Sequence, residues 1–145
     1  MVTRPLRIGI EIGGTKLQTG VGTAGGELLA PPVRRTVIRS AGAEGIRREL
    51  VEMAGEVLAM TGHTLAEVEQ VGIGFGGVLD TQRGVTRKSF QIDGWDEFPL
   101  KAWAEAQWGR PVVVENDANV AGLAEALHGA GRGYRRVFYM TIGSG

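Results

Sequence analysis

The chain contains no cysteine, which excludes disulfides and thiolate zinc sites within it and fits a reducing compartment. It has no excess of either charge. Sixteen Lys and Arg balance sixteen Asp and Glu, and their interspersion argues against a nucleic-acid surface or an acidic tail. No apolar stretch near Met1 is long enough for a signal peptide or a membrane span, so the default expectation is a cytoplasmic protein with no membrane or nucleic-acid partner. Glycine, by contrast, is plentiful. The 24 glycines fall at turns and element ends, as in Gly13-Gly14, Gly25-Gly26 and Gly76-Gly77, and punctuate a fold rather than mark low complexity. A length of 145 residues suffices for a domain with a proper core.

The most informative stretch is Arg7-Ile8-Gly9-Ile10-Glu11-Ile12-Gly13-Gly14-Thr15-Lys16, continued by Leu17-Gln18-Thr19-Gly20-Val21. Apolar residues alternate on either side of a Gly-Gly pair, which predicts strand, tight turn, strand. Glycines at the tip allow backbone N–H groups to converge on an anion, with the Thr15 hydroxyl as a further donor, and phosphate is the obvious guest. From these residues alone a plain hairpin turn is, slightly, the better reading. Glu27 to Ala30 and Val33 to Ile38 read as a third strand interrupted by Pro31-Pro32, an edge or bulge pattern. From Ala43 the period becomes helical (Ile46, Leu50, Ala54, Val57, Leu58) and stops near Gly62. Gln70 to Phe75 is a short apolar strand, Val78 to Gly84 reads as turn and loop, and Gly84 to Phe90 is extended. A second helix begins at Asp96 to Pro99 and stops at Gly109. The buried strand Val112 to Val114 leads into Glu115-Asn116-Asp117-Ala118-Asn119, where a third helix starts and runs to Gly129. Arg136 to Ile142 is predicted as a last strand. This order indicates an α/β domain, an antiparallel meander followed by strands joined through helices and therefore parallel.

Two familiar phosphate motifs are rejected. Gly72-Ile73-Gly74-Phe75-Gly76-Gly77 fits G-x-G-x-x-G, but no helix opens at its third glycine, and Gly13-Gly14-Thr15-Lys16 lacks the spacing of a Walker A loop.

Four separated segments, in order, resemble the ROK family of sugar kinases and sugar-responsive repressors, within the actin-like, hexokinase-type ATPases. They are Glu11-Ile12-Gly13-Gly14-Thr15-Lys16, similar to the family's D-x-G-G-T-K; Gly72 to Asp80, similar to G-I-G-x-P-G-x-V-D; Glu115-Asn116-Asp117-Ala118-Asn119, the family's E-N-D-A-N; and Gly129-Ala130-Gly131-Arg132-Gly133 with Thr141-Ile142-Gly143-Ser144-Gly145, similar to the approach to a second phosphate loop. The resemblance covers essentially the whole chain but only the amino-terminal half of a usual member. It implies a ribonuclease-H-like lobe with a mixed sheet, antiparallel in its first three strands and then parallel, and helices on both faces. It further implies a lobe over residues 1–133 and, over residues 134–145, the first strand and truncated second phosphate loop of a missing carboxy-terminal lobe, which would also carry the family's structural zinc. Alone, such a fragment is expected to have little or no kinase activity.

By the same resemblance Asp117 is the general base, taking a hydroxyl proton during phosphoryl transfer from MgATP; on the residues alone, Asn116 or Asp117 reads as an N-cap. Asn116, Gly76, Gly77, Gln91 and Asp117 face the sugar. Glu11, Gly13, Gly14, Thr15, Lys16, Thr141, Gly143 and Ser144 meet the nucleotide, with no direct metal ligand and Glu11 reaching Mg²⁺ through water. Trp95 is assigned to the core, and His63 and His128 have no role. Glu11 stands where aspartate is usual, Gly76 where proline is usual, and Gln91 where many family sugar kinases carry a sugar-contacting asparagine, so the identity of the sugar stays open. The resemblance leaves room for a homodimer of the full-length protein. The competing expectation is a sugar-sensing regulator without turnover; that branch carries a helix-turn-helix ahead of the position of Glu11, for which there is no room before Arg7.

Overall fold

The structure, a computed structural model, describes residues 5–142. Strand β1 (Leu6–Ile12) buries Leu6, Ile8, Ile10 and Ile12 while Arg7 and Gly9 stay exposed, the period-two alternation of a strand with one core face. It turns at Gly13-Gly14-Thr15 into β2 (Lys16–Thr23) and pairs with it antiparallel from Leu6↔Thr23 to Ile12↔Leu17. β3 (Val33–Thr36) adds antiparallel to β2. The expected first part of that strand, Glu27 to Ala30, is only a loose continuation: Leu28 forms an isolated bridge with Gly22 and Leu29 N–H donates to the Val21 carbonyl at 3.0 Å. Regular pairing begins after Pro31-Pro32, because proline has no N–H to give to a ladder.

Helix α1 (Gly42–Thr61) carries the chain back so that β4 (Val68–Phe75) lies parallel to β1. Ile46, Leu50, Met53, Ala54, Val57 and Leu58 form its buried stripe, against the apolar side of the sheet; burying each of the larger ones contributes on the order of 1.5–3 kcal/mol. Helix α2 (Leu100–Trp108) returns the chain to β7 (Val112–Asn116), which is parallel to β4. The five-stranded order is therefore β3-β2-β1-β4-β7. Both helices stop at left-handed glycines, Gly62 (φ 70°) and Gly109 (φ 59°), a backbone conformation that a Cβ disfavours. Arg35 on β3 fastens α1 through Glu52 at 2.8 Å, Glu56 at 3.0 Å and Glu49 at 3.1 Å, which holds its guanidinium above its ordinary pKa, most strongly through Glu52.

Between β4 and α2 a small hairpin forms, β5 (Val78–Asp80) with β6 (Val85–Lys88); β6 lies in the stretch expected to be extended, whereas Val78 to Asp80, expected as turn and loop, is a strand. Asp80 closes its turn by accepting the Arg83 N–H at 3.0 Å and meets Arg87 at 2.9 Å, and these contacts, the N–H first, lower its pKa. Trp95 is buried as expected and sits in a row of rings, edge-on at Phe75–Trp95 (5.3 Å), Trp95–Phe98 (5.6 Å) and Trp103–Trp108 (5.5 Å) and tilted at Phe98–Trp103 (6.4 Å). The Arg47 guanidinium covers Phe98 at 4.2 Å, a cation–π contact.

Helix α3 (Asp117–His128) lies on the opposite face of the sheet, with Asp117 and Val120 against Gly74. The expected strand Arg136 to Ile142 does not form: 135–142 have no strand pairing, and Phe138, Met140 and Ile142 are exposed. A strand exists only through its ladder partner, and no described strand pairs with this segment. Among the described residues no helix is long and apolar enough to cross a membrane.

Candidate active site

The site is built where three parallel strands end. β1 and β4 bring Ile12 and Phe75 level, and β4 and β7 bring Phe75 and Asn116 level, so the residues just beyond each strand meet at one edge. Beyond β1 is the glycine tip. The Gly13 N–H donates to the Lys16 carbonyl at 3.1 Å and the Thr15 carbonyl accepts the Val37 N–H at 2.9 Å, which ties the tip to the end of β3. Beyond β4, the Gly76 N–H donates to the Ile12 carbonyl at 2.8 Å, continuing the β1–β4 ladder by one bond. A proline here would lack that donor.

Beyond β7 is the corner that carries Asn116 and Asp117. Asn116 is the N-cap of α3, and its Oδ1 accepts the N–H groups of Ala118 at 3.1 Å and Asn119 at 3.3 Å. Its amide Nδ2 has no partner among the described residues and is left to donate elsewhere. The Asp117 Oδ1 accepts the Ala118 N–H at 2.8 Å, and its Oδ2 faces Gly76. A Cβ at residue 76 would lie 2.9 Å from that oxygen and 3.6 Å from Gly13 Cα. The absence of a side chain at Gly76 is thus what lets the carboxylate approach the phosphate-loop backbone.

Gln91 comes from a loop shaped by Ser89, whose hydroxyl accepts the N–H groups of Gln91 at 3.3 Å and Ile92 at 3.2 Å. The Gln91 amide lies directly on Gly14, where a Cβ would collide with it. The structure therefore brings Gly13, Gly14, Gly76, Gln91, Asn116 and Asp117 together from four separated segments. Gly77 is different: its bare Cα makes room for the Phe75 ring and the Lys88 carbonyl, 2.6 Å and 2.8 Å from where a Cβ would stand. Glu11 and Lys16 face each other at 3.9 Å and are part-exposed. Thr141 reaches the same open cleft, of about 830 Å³, that Glu11, Gly74, Glu115 and Asp117 line. Gly143 and Ser144 lie outside the described residues.

Among the described residues no three metal-ligating side chains cluster. A Mg²⁺ that keeps most of its waters needs only one or two carboxylates, and Glu11, at the cleft end of β1, fits that requirement. Sequence reasoning gave no role to Glu115 or Asn119. Their signal was their four-residue spacing across a strand-to-helix corner: the Asn119 Nδ2 donates to Glu115 Oε1 at 3.0 Å.

Comparison with known proteins follows the same lines. A family model described as the ROK family matches residues 7–145. The glucokinase of Streptomyces coelicolor is 38% identical over 145 residues, covering 97% of this chain and 41% of that protein. Among solved structures, a ROK family glucokinase from Streptomyces griseus in complex with glucose and AMPPNP superposes with a TM-score of 0.72 at 40% identity, over 88% of this chain and 38% of that one. The ROK hexokinase from Thermus thermophilus gives a TM-score of 0.72 at 37% identity, over 83% of this chain and 38% of that one. The chain thus spans about two fifths of the length of the curated relatives it matches.

Proposed function

The chain belongs to the ROK family, and we propose that it forms the amino-terminal lobe, residues 1–133, of a kinase that transfers the γ-phosphate of MgATP to a sugar hydroxyl, residues 134–145 leading into a second lobe. The observation that supports this reading best is the convergence of Gly13, Gly76 and the Asp117 Oδ2 at the ends of parallel strands. A phosphoryl acceptor must be held in line with the donor, and a carboxylate must take its proton.

In this reading Asp117 acts through Oδ2, because Oδ1 is occupied by the Ala118 N–H. Asn116 both caps the helix through Oδ1 and offers Nδ2 to a sugar hydroxyl, so one side chain orients the acceptor beside the base. Gly13, Gly14 and Thr15 receive the phosphates, with Lys16 adding charge, and Gln91 reaches the pocket from above Gly14. Glu11 would hold Mg²⁺ through water; the ion, when bound, neutralises charge on the transferring group. The chain alone, without the rest of such a clamp, is an inactive fragment.

The test is a phosphoryl-transfer assay on the complete reading frame that encodes this chain, across hexoses and N-acetylhexosamines, with Asp117→Asn beside it. The expected result is turnover on one sugar and a loss on the order of 10²–10⁴-fold in Asp117→Asn, with sugar binding retained. An active Asp117→Asn enzyme would remove the base from Asp117. Sugar binding without turnover in either protein would replace the kinase by a sugar sensor.

A further inference from the structure

Asp117 makes one hydrogen bond among the described residues, its Oδ1 accepting the next residue's N–H, and Gly74 and Gly76 beside it offer backbone alone. The direction of Oδ2 therefore follows from where the backbone of 116–119 sits. That backbone is held by the side chains of the corner itself, including Glu115, which lines the cleft beside Asp117. Glu115 Oε1 accepts the Asn116 N–H at 2.8 Å and the Asn119 Nδ2 at 3.0 Å, while the Asn119 N–H donates to Asn116 Oδ1 at 3.3 Å. Glu115, Asn116 and Asn119 close a ring of hydrogen bonds around the corner that carries Asp117.

We propose that Glu115, clamped by Asn119, is a positioning residue that aims the Asp117 carboxylate and the Asn116 amide into the cleft. This rests on the kinase reading above. What the ring requires is an acceptor oxygen at the full reach of a glutamate side chain. Glutamine supplies that oxygen; aspartate, one methylene shorter, does not reach Asn119; alanine removes it. A charged acceptor makes the stronger bond, but the aim depends on geometry.

The experiment uses the complete reading frame with Glu115→Gln, Glu115→Asp, Glu115→Ala, Asn119→Ala and the Glu115→Ala/Asn119→Ala pair. Glu115→Ala, Glu115→Asp and Asn119→Ala are expected to lower kcat on the order of 10- to 100-fold, as for a small misplacement of a reacting group, with the KM for ATP within about twofold. Glu115→Gln should recover most of kcat, and the double variant should be no worse than Glu115→Ala, because both changes open one ring. A Glu115→Gln enzyme as poor as Glu115→Ala, or multiplying losses in the double variant, would overturn the proposal. Amide hydrogen exchange at Ala118 and Asn119 reads the corner without turnover. It should quicken in Glu115→Ala and Asn119→Ala but not in Glu115→Gln, and unchanged exchange in Glu115→Ala overturns the ring. Wild-type protein that transfers no phosphate defeats the kinase reading, and the exchange rates still decide on the ring.

Discussion

Asn116 is asked to do two jobs with two atoms, and they can be separated. Oδ1 caps α3 by accepting the Ala118 and Asn119 N–H groups, whereas Nδ2 is the proposed donor to the sugar. Serine caps a helix about as well as asparagine, but its single hydroxyl does not reach beyond the corner. Asn116→Ser should therefore stay within about 0.5 kcal/mol of wild type in stability, since serine and asparagine rank together as caps. Asn116→Ala leaves both helix N–H groups without their cap and should lose about 1 kcal/mol, roughly a fivefold change in the folding equilibrium. The sugar side responds differently. A lost neutral hydrogen bond is worth about 0.5–1.5 kcal/mol, so the sugar KM should rise about 2- to 13-fold in both variants. Urea denaturation measures the first quantity and steady-state kinetics on the complete reading frame the second. Equal destabilisation by serine and alanine would refute the cap argument. A wild-type sugar KM in Asn116→Ser would refute the assignment of Nδ2.

Two further outcomes follow from the geometry. A Cβ at Gly14 meets the Gln91 amide, so Gly14→Ala should impair the enzyme in wild-type background and be better tolerated in Gln91→Ala, with a coupling on the order of 0.5–3 kcal/mol in a double-mutant cycle of stabilities; independent effects would deny the contact. Glu67 accepts the Thr64 N–H at 2.8 Å and meets His63 at 3.0 Å, which lowers its pKa, the Thr64 N–H contributing most. A carboxylate with a depressed folded pKa contributes stability above its unfolded pKa of about 4.3 and loses it as pH falls through the folded value. The protection of the Thr64 amide, its exchange rate relative to that of an unstructured chain at the same pH, should thus fall as Glu67 becomes protonated below the ordinary carboxylate range, and Glu67→Gln should flatten that dependence; an unchanged profile in Glu67→Gln would assign it to another group.

Much of this fold is local in origin and could be read from the chain. The Ile8, Ile10, Ile12 alternation, the stripe from Ile46 to Leu58 and the stops at Gly62 and Gly109 each declare an element through its own periodicity or its own cap. The corner from Val112 to Asn119 was legible too, as strand and N-cap together. What was not legible depended on partners. Val78 to Asp80 is only three residues long and becomes a strand because β6 lies beside it. Arg136 to Ile142 has the pattern of a strand but pairs with none of the described strands. The seat of Gln91 on Gly14 joins residues 77 positions apart, which no local pattern encodes. Likewise, the packing of Gly77 against Phe75 and Lys88 emerges only once the small hairpin has folded over β4.

The row of rings from Phe75 to Trp108 has an optical consequence. All three tryptophans of the chain, Trp95, Trp103 and Trp108, belong to that row, so a disturbance of the row reaches every tryptophan the chain has. One end of it, Phe75, is the last residue before Gly76, and Trp95 closes the loop that begins at Ser89. Trp95, buried in that loop, thus places an intrinsic fluorophore beside the candidate active site, and the protein carries a built-in fluorescent gauge of that loop without any added dye.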